Sequence, residues 1–166
     1  MIIQFKQSIP IEYTLVFESV YPENLRFDLE EKRELFSEPT VGSVYLIADG
    51  KVIGECYYID LHQMKDWEPD EDQPEDGLVD YYTSPGETLY VYSTTILPEY
   101  QHMGFGRMLK TWVLSMAKAR GYKYVVGHAR SGGSMALNKS FGAKIERSFD
   151  NWYGTGETYY LYTITL

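Results

Sequence analysis

The chain has 166 residues, 44% of them hydrophobic and 23% charged, which fits a soluble domain with a real core. Its net charge of −9 argues against a general nucleic-acid binder, and the one cysteine, Cys56, excludes an intrachain disulfide and fits a reducing compartment, the cytoplasm. No 18-residue apolar run and no basic start followed by an apolar stretch is present, so neither a membrane span nor a signal peptide is expected.

The elements follow in chain order. "IIQFKQ" reads as a first strand, and Ser8 is placed to cap a helix with Pro10 in its first turn. The stretch 11–38 reads as two helices broken near Pro22. In "VGSVYLIADGKVIGECYYIDL" two β-rich runs flank Asp49-Gly50, the preferred two-residue hairpin turn. Residues 65–88 read as one long loop with three prolines, Pro69, Pro74 and Pro85. From 66 to 87 that loop holds nine acids (Asp66, Glu68, Asp70, Glu71, Asp72, Glu75, Asp76, Asp80 and Glu87) and no base.

"TLYVYSTTIL" is a strand, with Tyr90, Tyr92, Thr94 and Ile96 expected on one face. Pro98 ends it. "GRMLKTWVLSMAKARG" is a helix whose apolar stripe is Met108, Leu109, Trp112, Val113, Met116 and Ala117, with Gly121 as its stop. A strand "YKYVVGHA", a Gly turn into the helix of "SGGSMALNKSFG" and two closing strands complete the order. Hairpins interspersed with helices make an α/β (α+β mixed) domain. Its central mixed, mostly antiparallel sheet of six to seven strands carries about four helices on its faces. One domain over 1–166 is expected.

Charge is polarised along the chain. Residues 1–100 hold 21 acids against 6 bases, whereas 101–166 hold 3 against 9. Such a chain can receive an anionic ligand on one part and a cationic one on another. In "LPEYQHMGFGRML" two glycines, Gly104 and Gly106, stand at the mouth of a helix, where glycine costs about 1 kcal/mol against alanine. Glycines there let an anion approach the unpaired amides and the positive end of the helix dipole. Arg107 adds a cation in a turn where the dipole alone favours an acid. The plain alternative is a strand-to-helix turn needing positive φ.

The order of elements and the phrase Ile96-Leu97-Pro98 followed by Gln101-His102-Met103-Gly104-Phe105-Gly106 resemble the GNAT N-acetyltransferase superfamily, whose acyl-CoA motif reads R/Q-x-x-G-x-G/A. The hairpin "YLIADGKVIGECYYI" and the phrase "ALNKSFGAKI" resemble other parts of that family. The resemblance implies acetyl-CoA as cosubstrate. Backbone groups of Thr94, Thr95 and Ile96 would pair with the pantetheine arm. Amides from His102 to Arg107 would hold the pyrophosphate. It implies acetyl transfer to a primary amine by direct attack, the acceptor being a small molecule or a lysine or N-terminal amine of a protein. The acidic loop favours a cationic acceptor.

Two positions depart from the family pattern. Ser131 stands where relatives carry an Asn that contacts pantetheine, and Asn138 stands where they carry a Tyr that protonates the leaving thiolate. An amide donates a hydrogen bond but supplies no proton. A proton relay falls first to Tyr90, near the place of a Glu base in some relatives, and then to Glu87. His128 is read as hydrogen-bonded structure and Cys56 as a small buried residue. The histidines show no metal-ligand spacing, so no metal is expected. The alternative is a CoA-binding or structural protein on the same fold with little or no turnover. The oligomeric state is open, a homodimer included.

Overall fold

The structure is a computed structural model that describes residues 1–65, 76–81 and 84–166. Seven strands form one sheet in the order β1-β2-β3-β4-β5-β7-β6. They are β1 (Ile3–Lys6), β2 (Val41–Ala48), β3 (Lys51–Asp60), β4 (Thr88–Ile96), β5 (Tyr124–Arg130), β6 (Lys144–Phe149) and β7 (Tyr159–Thr165). The α-helices are α1 (Leu29–Ser37), the single turn α2 (Leu61–Met64), α3 (Phe105–Ala119) and α4 (Gly133–Ser140). Strands β4 and β5 run parallel, while β1–β2, β5–β7 and β6–β7 run antiparallel. The chain forms two compact units, Met1–Tyr58 with Tyr92–Val113, and Ile59–Val91 with Leu114–Leu166.

In the first unit, Asp49 and Gly50 both take positive φ, 47° and 83°, as the tight hairpin between β2 and β3 demands. Asp49 also fixes the start of the chain, donating its amide to the Ile2 carbonyl and accepting from the Ile2 amide. The core is built from Phe17, Val44, Leu46, Ile53, Leu109 and Val113, all with no exposed surface.

The segment 11–38 departs from the sequence reading. Its first part, Ile11–Val20, is a 3-10 helix that starts after Pro10 without a side-chain cap, so Ser8 does not cap it. Thr14 and Ser19 turn their hydroxyls back onto carbonyls three residues earlier, a local bond that competes with regular α geometry. The second helix, α1, begins well after Pro22. Asp28 accepts from the Glu30 and Glu31 amides, and Glu31 accepts in return from the Asp28 amide, which makes a complete capping box.

In the second unit, β5 pairs with β7 over its whole length. Strand β6 pairs with β7 across a register shift between Ile145 and Arg147. Within 65–88, taken from sequence as plain loop, the described part includes a 3-10 turn at Leu78–Tyr81. Six of the nine acids (Asp66, Glu68, Asp70, Glu71, Asp72 and Glu75) lie outside the described residues. Helix α3 ends as expected at Gly121, φ 88°, where Gly121 and Tyr122 donate to the carbonyls of Lys118 and Ala117. The α3 stripe differs from the sequence reading. Leu109, Val113 and Ala117 are fully buried, but Met108 is exposed and the charged Lys110 is buried.

Candidate active site

The passage from β4 into α3 is short and tightly held. Leu97 leads into a 3-10 turn at Pro98–Tyr100, and the Gln101 side chain reaches back to donate to the Ile96 carbonyl at 3.0 Å. The first residue of the Q-x-x-G-x-G phrase is therefore a clasp between the loop and the end of the strand. His102 and Gly104 then take positive φ, 61° and 87°. The Gly104 carbonyl accepts from the Met108 amide at 3.1 Å, so Gly104 sits at the helix mouth. The amides of Phe105 and Gly106 fall in the first turn, where helix geometry offers them no partner.

A Cβ placed on Gly104 would meet nothing of the protein within 4 Å. His102, Met103, Gly104 and Arg107 are exposed, whereas Phe105 is buried against the edge of the Tyr100 ring. The motif thus presents open backbone around a positive φ glycine, with one apolar anchor beneath.

The second half of β4 is irregular. Its ladder to β5 runs from Thr88↔Tyr124 to Val91↔Gly127 and stops, although both strands continue. Strict alternation also fails, contrary to the sequence reading. Tyr92 packs on Tyr57, while Thr94 donates to the Cys56 thiol, and Cys56 and Tyr57 are neighbours on β3 that face opposite ways. At the far end order returns. The Leu97 amide donates to the Ile53 carbonyl of β3. By alternation the Ile96 amide and carbonyl face the other edge, and there Gln101 finds the Ile96 carbonyl.

In the other unit the structure joins Tyr90 to His128 and Glu87 to Lys123. His128 Nε2 donates to the Asp76 carbonyl at 2.8 Å, which fixes the neutral tautomer and leaves Nδ1 to accept from the Tyr90 hydroxyl at 2.9 Å. The imidazole stacks on Trp152, with centroids 4.6 Å apart and planes 28° off parallel, and meets the edge of Phe149. Burial pushes its value below the usual 6.5, partly offset by the Asp76 carbonyl. Glu87 accepts from Lys123 at 2.9 Å, and its backbone carbonyl accepts from the Lys123 amide, so it ties the loop end to the start of β5.

Ser131 is exposed and donates its amide to the Thr158 carbonyl. With Met135, Lys139, Ile145 and Tyr160 it lines a shallow cavity of about 250 Å³. Asn138 is 5% exposed, and one N–H of its amide is already committed to the Ser134 carbonyl at 3.0 Å. Its backbone carbonyl collects the amides of Phe141 and Ala143, closing the end of α4.

A polar group inside the first unit escaped the sequence reading. Lys32 and Glu55 have no exposed surface and Glu18 is 6% exposed. Lys32 Nζ lies 2.6 Å from Glu18 Oε1 and 3.6 Å from Glu55 Oε1, and donates to the Thr14 carbonyl. Burial, opposed chiefly by Lys32, pushes the Glu55 carboxyl up to about 8. Nothing in the spacing of α1 marks Lys32 as buried; it reads as one charge in the polar run "EEKRE".

The chain belongs to the acetyltransferase (GNAT) family, whose model matches residues 8–142. This is a family of N-acetyltransferases that use acetyl-CoA as cosubstrate. The fold is likewise that of solved members. The ribosomal-protein-S18-alanine N-acetyltransferase from Escherichia coli superposes with a TM-score of 0.72 at 12% identity, covering 99% of this chain and 94% of that one. NAA60 from Arabidopsis thaliana in complex with acetyl-CoA gives 0.72 at 15%, covering 99% of each chain. Ard1 from Thermoplasma volcanium gives 0.72 at 14%, covering 99% and 97%. None of the curated protein sequences matches the chain. No helix among the described residues is long and apolar enough to cross a membrane, and no cluster of three or more metal-ligating side chains occurs among them.

Proposed function

We propose that the chain, as one domain over 1–166, moves an acetyl group from acetyl-CoA directly to a primary amine. The observation that carries this reading is the mouth of α3. Open amides follow a positive φ Gly104, at the end of a strand whose Ile96 edge is turned away from β3. The first-turn amides would hold the pyrophosphate. Backbone groups of Thr94–Ile96 would take the pantetheine arm as an added strand, and the Ile96 amide would stabilise the oxyanion that forms on the thioester carbonyl. Direct attack is favoured because Cys56, the one cysteine, is fully buried and its thiol is pushed up to about 11 by burial. It is a poor carrier for an acyl-enzyme.

The amine must lose a proton before it attacks, since an alkylamine has a reference value near 10.4. Tyr90 is the first candidate to take that proton, and Glu87 the second. The Tyr90 hydroxyl already donates to neutral His128, so the phenol oxygen can accept a proton from amine or water while its own passes to Nδ1. Tyr90→Phe is expected to lower kcat by roughly 10²–10⁴ with acetyl-CoA affinity intact. Because the His128 value is depressed, the acid limb of kcat/KM should lie below pH 6.5. Full kcat in both Tyr90→Phe and Glu87→Gln across a pH profile removes the relay.

A primary amine on a protein is one acceptor that fits, because one structural neighbour is by name an alanine N-acetyltransferase of a ribosomal protein. The acidic composition of 66–87 supports a cationic acceptor. Acceptor KM should then rise with ionic strength as screening shortens to about 8 Å at physiological salt. A KM indifferent to salt, and to joint neutralisation of Asp70, Glu71 and Asp72, excludes recruitment by charge. A second reading, CoA binding without turnover, is favoured by Asn138, whose buried amide already serves Ser134. Acetyl-CoA binding with no thiol release on a panel of amines would select it.

A further inference from the structure

The irregular half of β4 needs something other than the β5 ladder to hold its shape. That ladder ends at Val91. Past it, the hydroxyls of Ser93 and Thr95 both meet the hydroxyl of Tyr21, and they stand 3.4 Å from each other. Three hydroxyl oxygens thus form one knot on the strand. The Tyr21 phenol is raised by burial above its usual value, so it stays protonated and can donate.

Tyr21 comes from the connection between the 3-10 helix and α1, which has little regular structure of its own. It is nevertheless firmly held. Its amide donates to the Glu18 carbonyl and its carbonyl accepts from Arg26 Nε. Glu18 is fixed in turn by Lys32 on one oxygen and by the Phe27 amide on the other. An ion pair this deep is a poor source of net stability, because desolvation offsets most of the attraction. Here it defines the path of residues 18–27, and that path sets where the Tyr21 hydroxyl arrives.

We propose that Tyr21 is a positioning residue for acetyl transfer, its hydroxyl holding Ser93 and Thr95 so that the backbone between and beyond them keeps the shape that receives the thioester. The inference rests on the reading that Thr94–Ile96 take the acyl arm. Misplacing a reacting group by about 1 Å can cost on the order of 10²-fold in rate, so a hydroxyl that touches no reactant can still govern kcat.

The test is Tyr21→Phe, which keeps the ring and removes the knot. The expected result is a kcat reduced roughly 10- to 100-fold, a smaller change in KM for acetyl-CoA, and a circular dichroism spectrum like the parent's. Ser93→Ala should give a loss of the same kind. The double variant should be little worse than either alone, because both remove one shared arrangement. A Tyr21→Phe protein that unfolds at a lower temperature but keeps full kcat below its transition overturns the proposal. If Tyr21→Phe does not fold, Ser93→Ala decides, and full kcat there overturns it equally. Failure of the cofactor reading is separable, since it shows as unchanged acetyl-CoA affinity in Gly104→Val by calorimetry.

Discussion

Replacing Lys32 by methionine is expected to destabilise the protein by roughly 3–5 kcal/mol, the usual cost of stranding a buried charge. Lys32 is the cation that both Glu18 and Glu55 face, and methionine matches its stem while removing the ammonium. The loss should depend on pH. Glu55 holds its proton up to about 8 in the fold, against an ordinary 4.5. The folded chain therefore binds that proton more tightly than the unfolded one. Glu55's contribution is complete below the ordinary value and is lost as pH rises through about 8. Without Lys32, which opposes the effect of burial, Glu55 should cling to its proton further. Urea unfolding at about pH 5 and about pH 8 checks this, with the larger loss expected at the higher pH. Equal losses at the two would mean that Lys32 acts only through packing. By the Tyr21 argument, the variant should also lose kcat beyond what its unfolded fraction explains.

Gly104→Val should abolish most acetyl-CoA binding, and a control on the same helix makes the result interpretable. Gly104 and Gly121 have almost the same φ, 87° and 88°, and an added Cβ would meet nothing of the protein at either. Valine at either position therefore carries a similar folding penalty, at least the roughly 1–2 kcal/mol of left-handed backbone for a side chain with a Cβ. The two flank opposite ends of α3, a 15-residue helix that rises roughly 22 Å. Only Gly104 stands where the first-turn amides would meet a pyrophosphate. Calorimetry should show affinity reduced by at least the roughly 1–3 kcal/mol of a lost buried hydrogen bond for Gly104→Val, and near-parent affinity for Gly121→Val. If both variants bind like the parent, the glycine serves the turn alone.

The sequence showed some of this architecture because local chemistry determined it. Asp49-Gly50 could only be a tight hairpin turn, and Gly104 and Gly121 announced the two ends of α3 through the backbone conformations they permit. The resemblance in 96–106 located the α3 mouth for the same reason. What stayed hidden depends on partners far apart along the chain. Lys32 stands in a polar run, and only the fold brings Glu18, Thr14 and Glu55 around it. The Gln101 clasp was hidden too, since nothing nearby in sequence reveals that its side chain donates to the Ile96 carbonyl. The even alternation expected for β4 missed its irregular middle, which lies past the point where the ladder to β5 stops at Val91. His128 was read as hydrogen-bonded structure, and its bonds are as expected. That they run to Tyr90 and Asp76 required a contact across the β4–β5 pair.

The order in which strands are synthesised differs from the order in which they lie. In the second unit β7 follows both β5 and β6 in sequence, yet it lies between them. Strand β6 pairs with β7 through five residue pairs from Lys144 to Phe149. While the chain is growing, β5 and β6 must therefore wait side by side with no strand between them, each with an open edge of amides and carbonyls. Such edges invite pairing with other chains. The vulnerable period of biosynthesis falls between the appearance of Phe149 and the arrival of Tyr159–Thr165, the segment that seals both edges at once.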